Sequence, residues 1–163
     1  MLRWLILFFR RRIAVKLTLT LLAFVAVVEV VAGVYLTRAL QERAVQELEG
    51  RLVALARLLR DDARPLFASA ATPQARREFA LHRSRATDAR ITLILPDGRV
   101  VAESDRPLED LARIENYRDR PEVSAALAGG VGRAVRRSET VGHDLLYVAL
   151  PVRDGTRTVG ILR

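Results

Sequence analysis

The chain has 163 residues, no cysteine and a formal net charge of +8. The missing cysteine excludes a disulfide framework and a thiol nucleophile. Residues 1–16 carry five cations and no acid, which leaves residues 38–163 with a modest +4, so the basic excess has a topological origin and gives no ground for nucleic-acid binding.

Arg3, Arg10, Arg11, Arg12 and Lys16 stand directly before an apolar run from Leu17 to Thr37 whose single charge is Glu29. As a helix the run measures about 31 Å, enough to cross a hydrocarbon core of about 30 Å once. The cations on its short N-terminal side predict a cytoplasmic N-terminus in the inner (plasma) membrane and an exported C-terminal part. A cleaved signal peptide is the competing reading. The apolar run exceeds the usual h-region of about 7 to 15 residues, and no small-x-small site follows it, which favours a retained anchor. Trp4 to Phe9 is too short to span and either lies at the cytoplasmic surface or begins a longer helix. Near mid-membrane, an ionised Glu29 would cost on the order of 3 kcal/mol. It is either a tolerated, protonated side chain or a polar contact between two copies of the helix, worth under about 2 kcal/mol.

From Leu36 to Leu59 the sequence is rich in Ala, Leu, Glu, Gln and Arg and has no proline, so a helix is predicted to continue out of the span. Val45, Leu48, Leu52, Leu55 and Leu59 form a heptad-like seam. It fits a homodimer partner or the helix's own domain. Arg64-Pro65 kinks or ends this helix, and Thr72-Pro73 starts a second one, with Thr72 as cap, reaching about Ala86. About 126 residues beyond the anchor make one ordinary domain. The predicted organisation is 1–16 cytoplasmic, 17–37 transmembrane, 38–87 helical stalk and second helix, and 88–163 exported domain.

After Asp88 the apolar period changes to two. Ile91, Leu93 and Leu95 share one face and Thr92 and Ile94 the other, with Pro96-Asp97-Gly98-Arg99 turning into Val100–Ala102. A short helix is predicted from Pro107 to Leu111, capped by Ser104 or Asp105. The next has Asp119 as cap, with Glu122 three residues later, and ends at Gly129-Gly130. Three strands follow, near Gly132–Glu139, Asp144–Pro151 and Arg157–Leu162. Leu145 to Leu150 is apolar on both faces, as for a central strand, and Arg153-Asp154-Gly155-Thr156 makes the last turn. The fold class is α+β, with a five-stranded antiparallel sheet.

These motifs, in order, are Arg90-Ile91-Thr92-Leu93-Ile94, Asp97 to Ser104, Glu115-Asn116, Arg120-Pro121-Glu122-Val123 with Ala126 to Gly129, Arg137 to Thr140, and Leu146 to Val152. Together they resemble the exported, PAS-like (Cache-like) sensor region of phosphate-regulon-type sensor histidine kinases. Glu103-Ser104 replaces the group's usual Asp-Ser, and Tyr117 stands where a histidine is common. The resemblance implies a homodimeric sensor, followed in such proteins by a second membrane helix, a linker and a kinase that acts on a cytoplasmic response regulator. The chain ends at Arg163 without a phosphoacceptor-histidine segment or Gly-rich ATP lid, as a fragment or truncated sensor would. No catalytic residue, cofactor or metal site is therefore expected in it.

A PAS-like sheet can cup a ligand between its central strands and their covering helices. The residues suited to a small anion there are Tyr117, Arg118, Arg120, Arg136, Arg137 and Tyr147. The competing account pairs Arg120 and Arg137 with Asp119, Glu122 or Glu139. His82 reads as solvent-facing and His143 as a turn residue beside Asp144. Asp61-Asp62, Glu109-Asp110 and Glu103 with Asp105 are poor cation sites, since neighbours in sequence do not converge on one point. The rival to a sensor is a single-anchor adaptor or assembly protein that binds another exported protein.

Overall fold

The computed structural model describes residues 2–137, 142 and 144–163, with side chains from Val15 onward. Its helix α1 covers Leu2–Ala63, so Trp4 to Phe9 begins a longer helix. The chain divides into two compact units, Met1–Glu47 and Leu48–Arg163.

In the first unit every residue from Val15 to Arg38 is exposed. The stretch is long and apolar enough to cross a membrane. Thr20 and Thr37 donate their hydroxyls to the carbonyls of Lys16 and Gly33, each at 2.8 Å, so these polar groups are satisfied within the helix.

The second unit begins with the remainder of α1, which ends at a short 3-10 turn over Arg64–Phe67 where Pro65 removes a backbone donor. Helix α2, Pro73–Thr87, starts as predicted: the Thr72 hydroxyl accepts from the Ala75 amide at 3.1 Å. Five strands follow: β1 Thr92–Ile94, β2 Val100–Glu103, β3 Gly132–Arg137, β4 Asp144–Asp154 and β5 Arg157–Leu162. They form one antiparallel sheet in the order β2-β1-β5-β4-β3. This is the predicted α+β architecture with PAS/Cache-like topology.

Both faces of the sheet are covered. On one, Ile91, Leu93, Val152 and Leu162 pack with Leu59 and Ala63 of α1 and Ala80 of α2. On the other, Ile94, Ala149 and Ile161 pack with Tyr117 and with Val123 and Ala126 of helix α3, Pro121–Leu127. Side chains therefore alternate between two apolar layers, and Thr92 is buried with its neighbours.

Several details differ from expectation. The predicted short helix is a 3-10 turn, Leu108–Arg113, with no side-chain cap. The Ser104 hydroxyl instead accepts from the Ile91 amide at 3.1 Å and donates to Asp105 at 2.9 Å, closing the β1–β2 pair. Arg120, not Asp119, holds the cap position of α3, again without a side-chain cap. Strand β4 is interior as expected, between β3 and β5, and the middle place of the sheet goes to β5, because β1 pairs with it. Strand β4 continues to Asp154, which pairs with Arg157 and shortens the last turn to Gly155-Thr156. Glu139 and His143 lie outside the described residues.

The seam divides along its length. Leu59 is buried and Leu55 packs beside it, while Leu52 lies against Val148 and Leu150. Val45 and Leu48 stay 45% and 49% exposed. Its C-terminal part thus covers its own sheet.

Helix α3 lies close on β3 because residue 132 is glycine: a Cβ there would sit 1.7 Å from the Glu122 carbonyl oxygen. Replacing Gly132→Ala is expected to destabilise the protein by about 3 kcal/mol, the upper end for overpacking, read from the denaturant midpoint. An unchanged midpoint would show that α3 does not need this close approach.

Candidate functional site

The site starts from the β1–β2 turn. Gly98 has φ +89°, a conformation that favours glycine, and a Cβ there would collide with Asn116 and Arg118. Arg99 donates to the Asp97 carboxylate from its side chain at 2.7 Å and its backbone at 3.0 Å, which holds that acid below the usual carboxylate range. The outer segment is pinned to this turn. Asn116 donates from Nδ2 to the Asp97 carbonyl and accepts at Oδ1 from the Arg118 amide, and the Tyr117 amide donates to the Gly98 carbonyl, all within 2.8–2.9 Å. Tyr117, anchored this way, is directed inward and is 9% exposed.

Around Tyr117 a ladder of rings and guanidinium groups assembles from four parts of the fold. Arg120 lies 4.0 Å from the Tyr117 ring centre, and Arg163, directly after β5, lies 4.9 Å from Tyr117 and 4.3 Å from Tyr147 of β4. Arg136 of β3 is 4.4 Å from Tyr147. Backbone register brings these groups together: Ala134 pairs with Tyr147, and Arg163 and Thr92 exchange backbone bonds of 2.9 and 2.7 Å. Each cation–π contact is worth about 0.5–2 kcal/mol, depending on desolvation.

Beneath the ladder lies Glu122, wholly buried in the first turn of α3. Its Oε1 accepts from Arg136 at 2.9 Å and lies 3.4 Å from Arg163 Nε. Burial pushes the Arg163 guanidinium below its usual value, while Glu122 and Tyr117 pull it back; it remains a cation. At one flank Arg90 binds Asp105 at 2.7 Å and approaches buried Glu103 at 3.4 Å. Arg120 pairs with Glu115.

The result is a polar cleft of about 850 Å³. Seven arginines and three carboxylates line it among the described residues, with Glu122 below as a fourth. Nε and Nη1 of Arg163, Nε of Arg136 and Oε2 of Glu103 and Glu122 are buried without a hydrogen-bond partner. Such groups each cost about 1–3 kcal/mol when left unmet. An oxyanion in the cleft would supply the acceptors that the guanidinium groups lack.

Of the residues singled out in the sequence, Tyr117, Arg120, Arg136, Arg137 and Tyr147 line this cleft. Arg118 does not: it is exposed and reaches the Pro96 carbonyl at 3.5 Å, on the outside of the turn. The proposed pairings also shift. Arg120 takes Glu115, and Glu122 serves Arg136 and Arg163. Arg163, Glu122 and Asn116 were not anticipated as site residues. A lone arginine closing the apolar run Gly160-Ile161-Leu162 was the available signal for the first. His82 is exposed. The acidic pairs serve arginines: Asp61 bonds Arg64 and Asp62 bonds Arg83, at 2.9 and 2.7 Å, while Asp110 meets Arg113 at 3.5 Å.

No family model matches the chain. No curated protein matches it either. Among solved structures it is similar to the sensor domain of the V. cholerae histidine kinase DctB, with 22% identity and a TM-score of 0.51. The match covers 62% of this chain and 40% of that one. The likeness is one of fold.

Asn116→Ala removes one bond to the turn and one within the Tyr117 segment, and frees that segment. A loss of about 1–2 kcal/mol is expected, with faster amide exchange at Tyr117 and Arg118 than elsewhere in the sheet. Unaltered exchange at both would show that Asn116 does not clamp the segment.

Proposed function

We propose that residues 38–163 form the extracytoplasmic sensing part of a two-component sensor histidine kinase, of the phosphate-regulon type by the order of its motifs. Residues 17–37 are its membrane anchor, and the N-terminus is cytoplasmic. The sensed species is a small anion held in the arginine cleft by Arg120, Arg136, Arg137 and Arg163, with Tyr117 and Tyr147 as its aromatic walls. The kinase reaction belongs to a part of the protein outside this chain.

The observation that carries this reading is a nearly buried arginine with two unsatisfied nitrogens, in a cleft where cations outnumber acids. A purely structural ion cluster meets its own donors, because unpaired buried polar groups oppose folding. Isothermal calorimetry on the full chain in lipid nanodiscs, with succinate, citrate and inorganic phosphate, tests it. At least one of the three is expected to bind, and Arg136→Gln to weaken that binding tenfold or more, about 1.4 kcal/mol. No heat from any of them would remove the anion reading.

Signalling needs a partner copy, and the exposed part of the seam at Val45 and Leu48 supports a homodimer there. Disulfide cross-linking in membranes is expected at Val45→Cys and Leu48→Cys, with much lower yield at Leu58→Cys, which is more exposed, at 75%, but off the seam. Equal yields at all three positions would count against the seam.

A further inference from the structure

Glu122 carries a charge inside a cleft that is otherwise built for anions. One of its oxygens is shared by Arg136 at 2.9 Å and Arg163 at 3.4 Å, and the other has no partner. Two guanidinium groups therefore share one carboxylate and still have three buried nitrogens unmet. Glu122 is not alone in orienting them: Arg136 is also held by the β3–β4 ladder and the Tyr147 ring, and Arg163 by its backbone bonds to Thr92 and by the rings of Tyr117 and Tyr147. What Glu122 adds beyond these contacts is charge. A negative group fixed at the same two cations lowers the attraction they exert on any anion entering from above.

Resting on the reading of the cleft as an anion site, we infer that Glu122 is a built-in competitor, an internal counter-ion that sets the affinity threshold for the external oxyanion. In the unliganded state it offsets part of the charge of one desolvated and one part-buried arginine, which would otherwise oppose folding. In the liganded state the incoming oxyanion takes up the free guanidinium nitrogens, and Glu122 retains a weaker share of the two cations. Carboxylates and phosphate share the chemistry this requires, planar or tetrahedral oxygens that accept from arginine forks.

The test compares the full chain in lipid nanodiscs with its Glu122→Gln variant, which keeps size and an acceptor oxygen but removes the charge. Calorimetry with succinate, citrate and inorganic phosphate separates a carboxylate preference from a phosphate preference. The variant is expected to be less stable without anion, yet to bind the preferred one about tenfold more tightly, and to gain a larger rise in Tm from it. Equal or weaker binding by Glu122→Gln, with the unmodified chain still binding, overturns the competitor and leaves the anion site standing. Binding by neither removes both. If Glu122→Gln does not fold, Glu122→Asp, which keeps the charge but withdraws it by one methylene, is expected to bind several-fold more tightly, and a loss of affinity overturns the proposal. On the unmodified chain, the Nε–Hε NMR signals of Arg136 and Arg163 are expected to shift together on adding the anion. If neither moves at saturation, the exchange does not occur.

Discussion

The sheet is buried on both faces, and its side chains alternate between them with a period of two; this constraint organises the domain. Leu93 faces α1 and α2 while Ile94 faces α3, and Leu162 and Ile161 divide in the same way. Neighbours in sequence thus sit in different layers. The arginine cleft inherits this arrangement. Tyr147 belongs to the ladder of rings and guanidinium groups, and the next residue, Val148, packs with Val53 of α1. Arg163 stands directly after Leu162, which packs with Leu59 and Ala63. Any displacement of the cleft residues acts on backbone that also carries the helix contact.

Burying an arginine and a glutamate together is a costly way to hold a fold, because desolvating both charges can cancel their attraction. The apolar layers supply the stability that the ion cluster does not: Leu93, Ile94, Ile161 and Leu162 are almost wholly buried, each worth about 1.5–3 kcal/mol. The polar groups are consequently free to remain under-satisfied. A partly unmet ion cluster in an otherwise well-packed domain supports the proposed reading, in which the missing partners come from outside.

Local signals made much of this fold legible. The Thr72-Pro73 start of α2, the β1–β2 turn at Asp97-Gly98 and the strand β5 follow from chemistry within a few residues. The errors arise where distant contacts decide. Asp119 and Glu122 read as a cap and its partner because the spacing suits one, but Glu122 turns inward where β3 and β5 bring two arginines, and Arg120 takes the cap position. Strand β4 reads as central because it is apolar on both faces, and it does lie inside the sheet between β5 and β3; which strand takes the middle place, β5, is decided by its pairing with β1. Five of the six residues chosen for the cleft line it, since arginines and tyrosines near strand ends mark a wet rim. Arg118 falls outside because a one-residue step along the pinned segment reverses its direction. Arg163 was missed because its role depends on the register of β5 against β1, which no local pattern contains.

The magnitude of any signal from the cleft is bounded by what a ligand can contribute. An anion at one hundred times its dissociation constant stabilises its bound state by about 2.7 kcal/mol. Detaching the second unit's part of α1 from the sheet would expose Leu55, Leu59 and Ala63, and burying a single leucine is already worth about 1.5–3 kcal/mol. The ligand cannot release this helix from its sheet. It can favour one of two closely spaced packings, and only to the extent that it binds one more tightly than the other. On the proposed sensor reading, a signal from this cleft is a small sliding or rotation of the second unit's part of α1 on strands β4 and β5, with the apolar layer kept intact throughout.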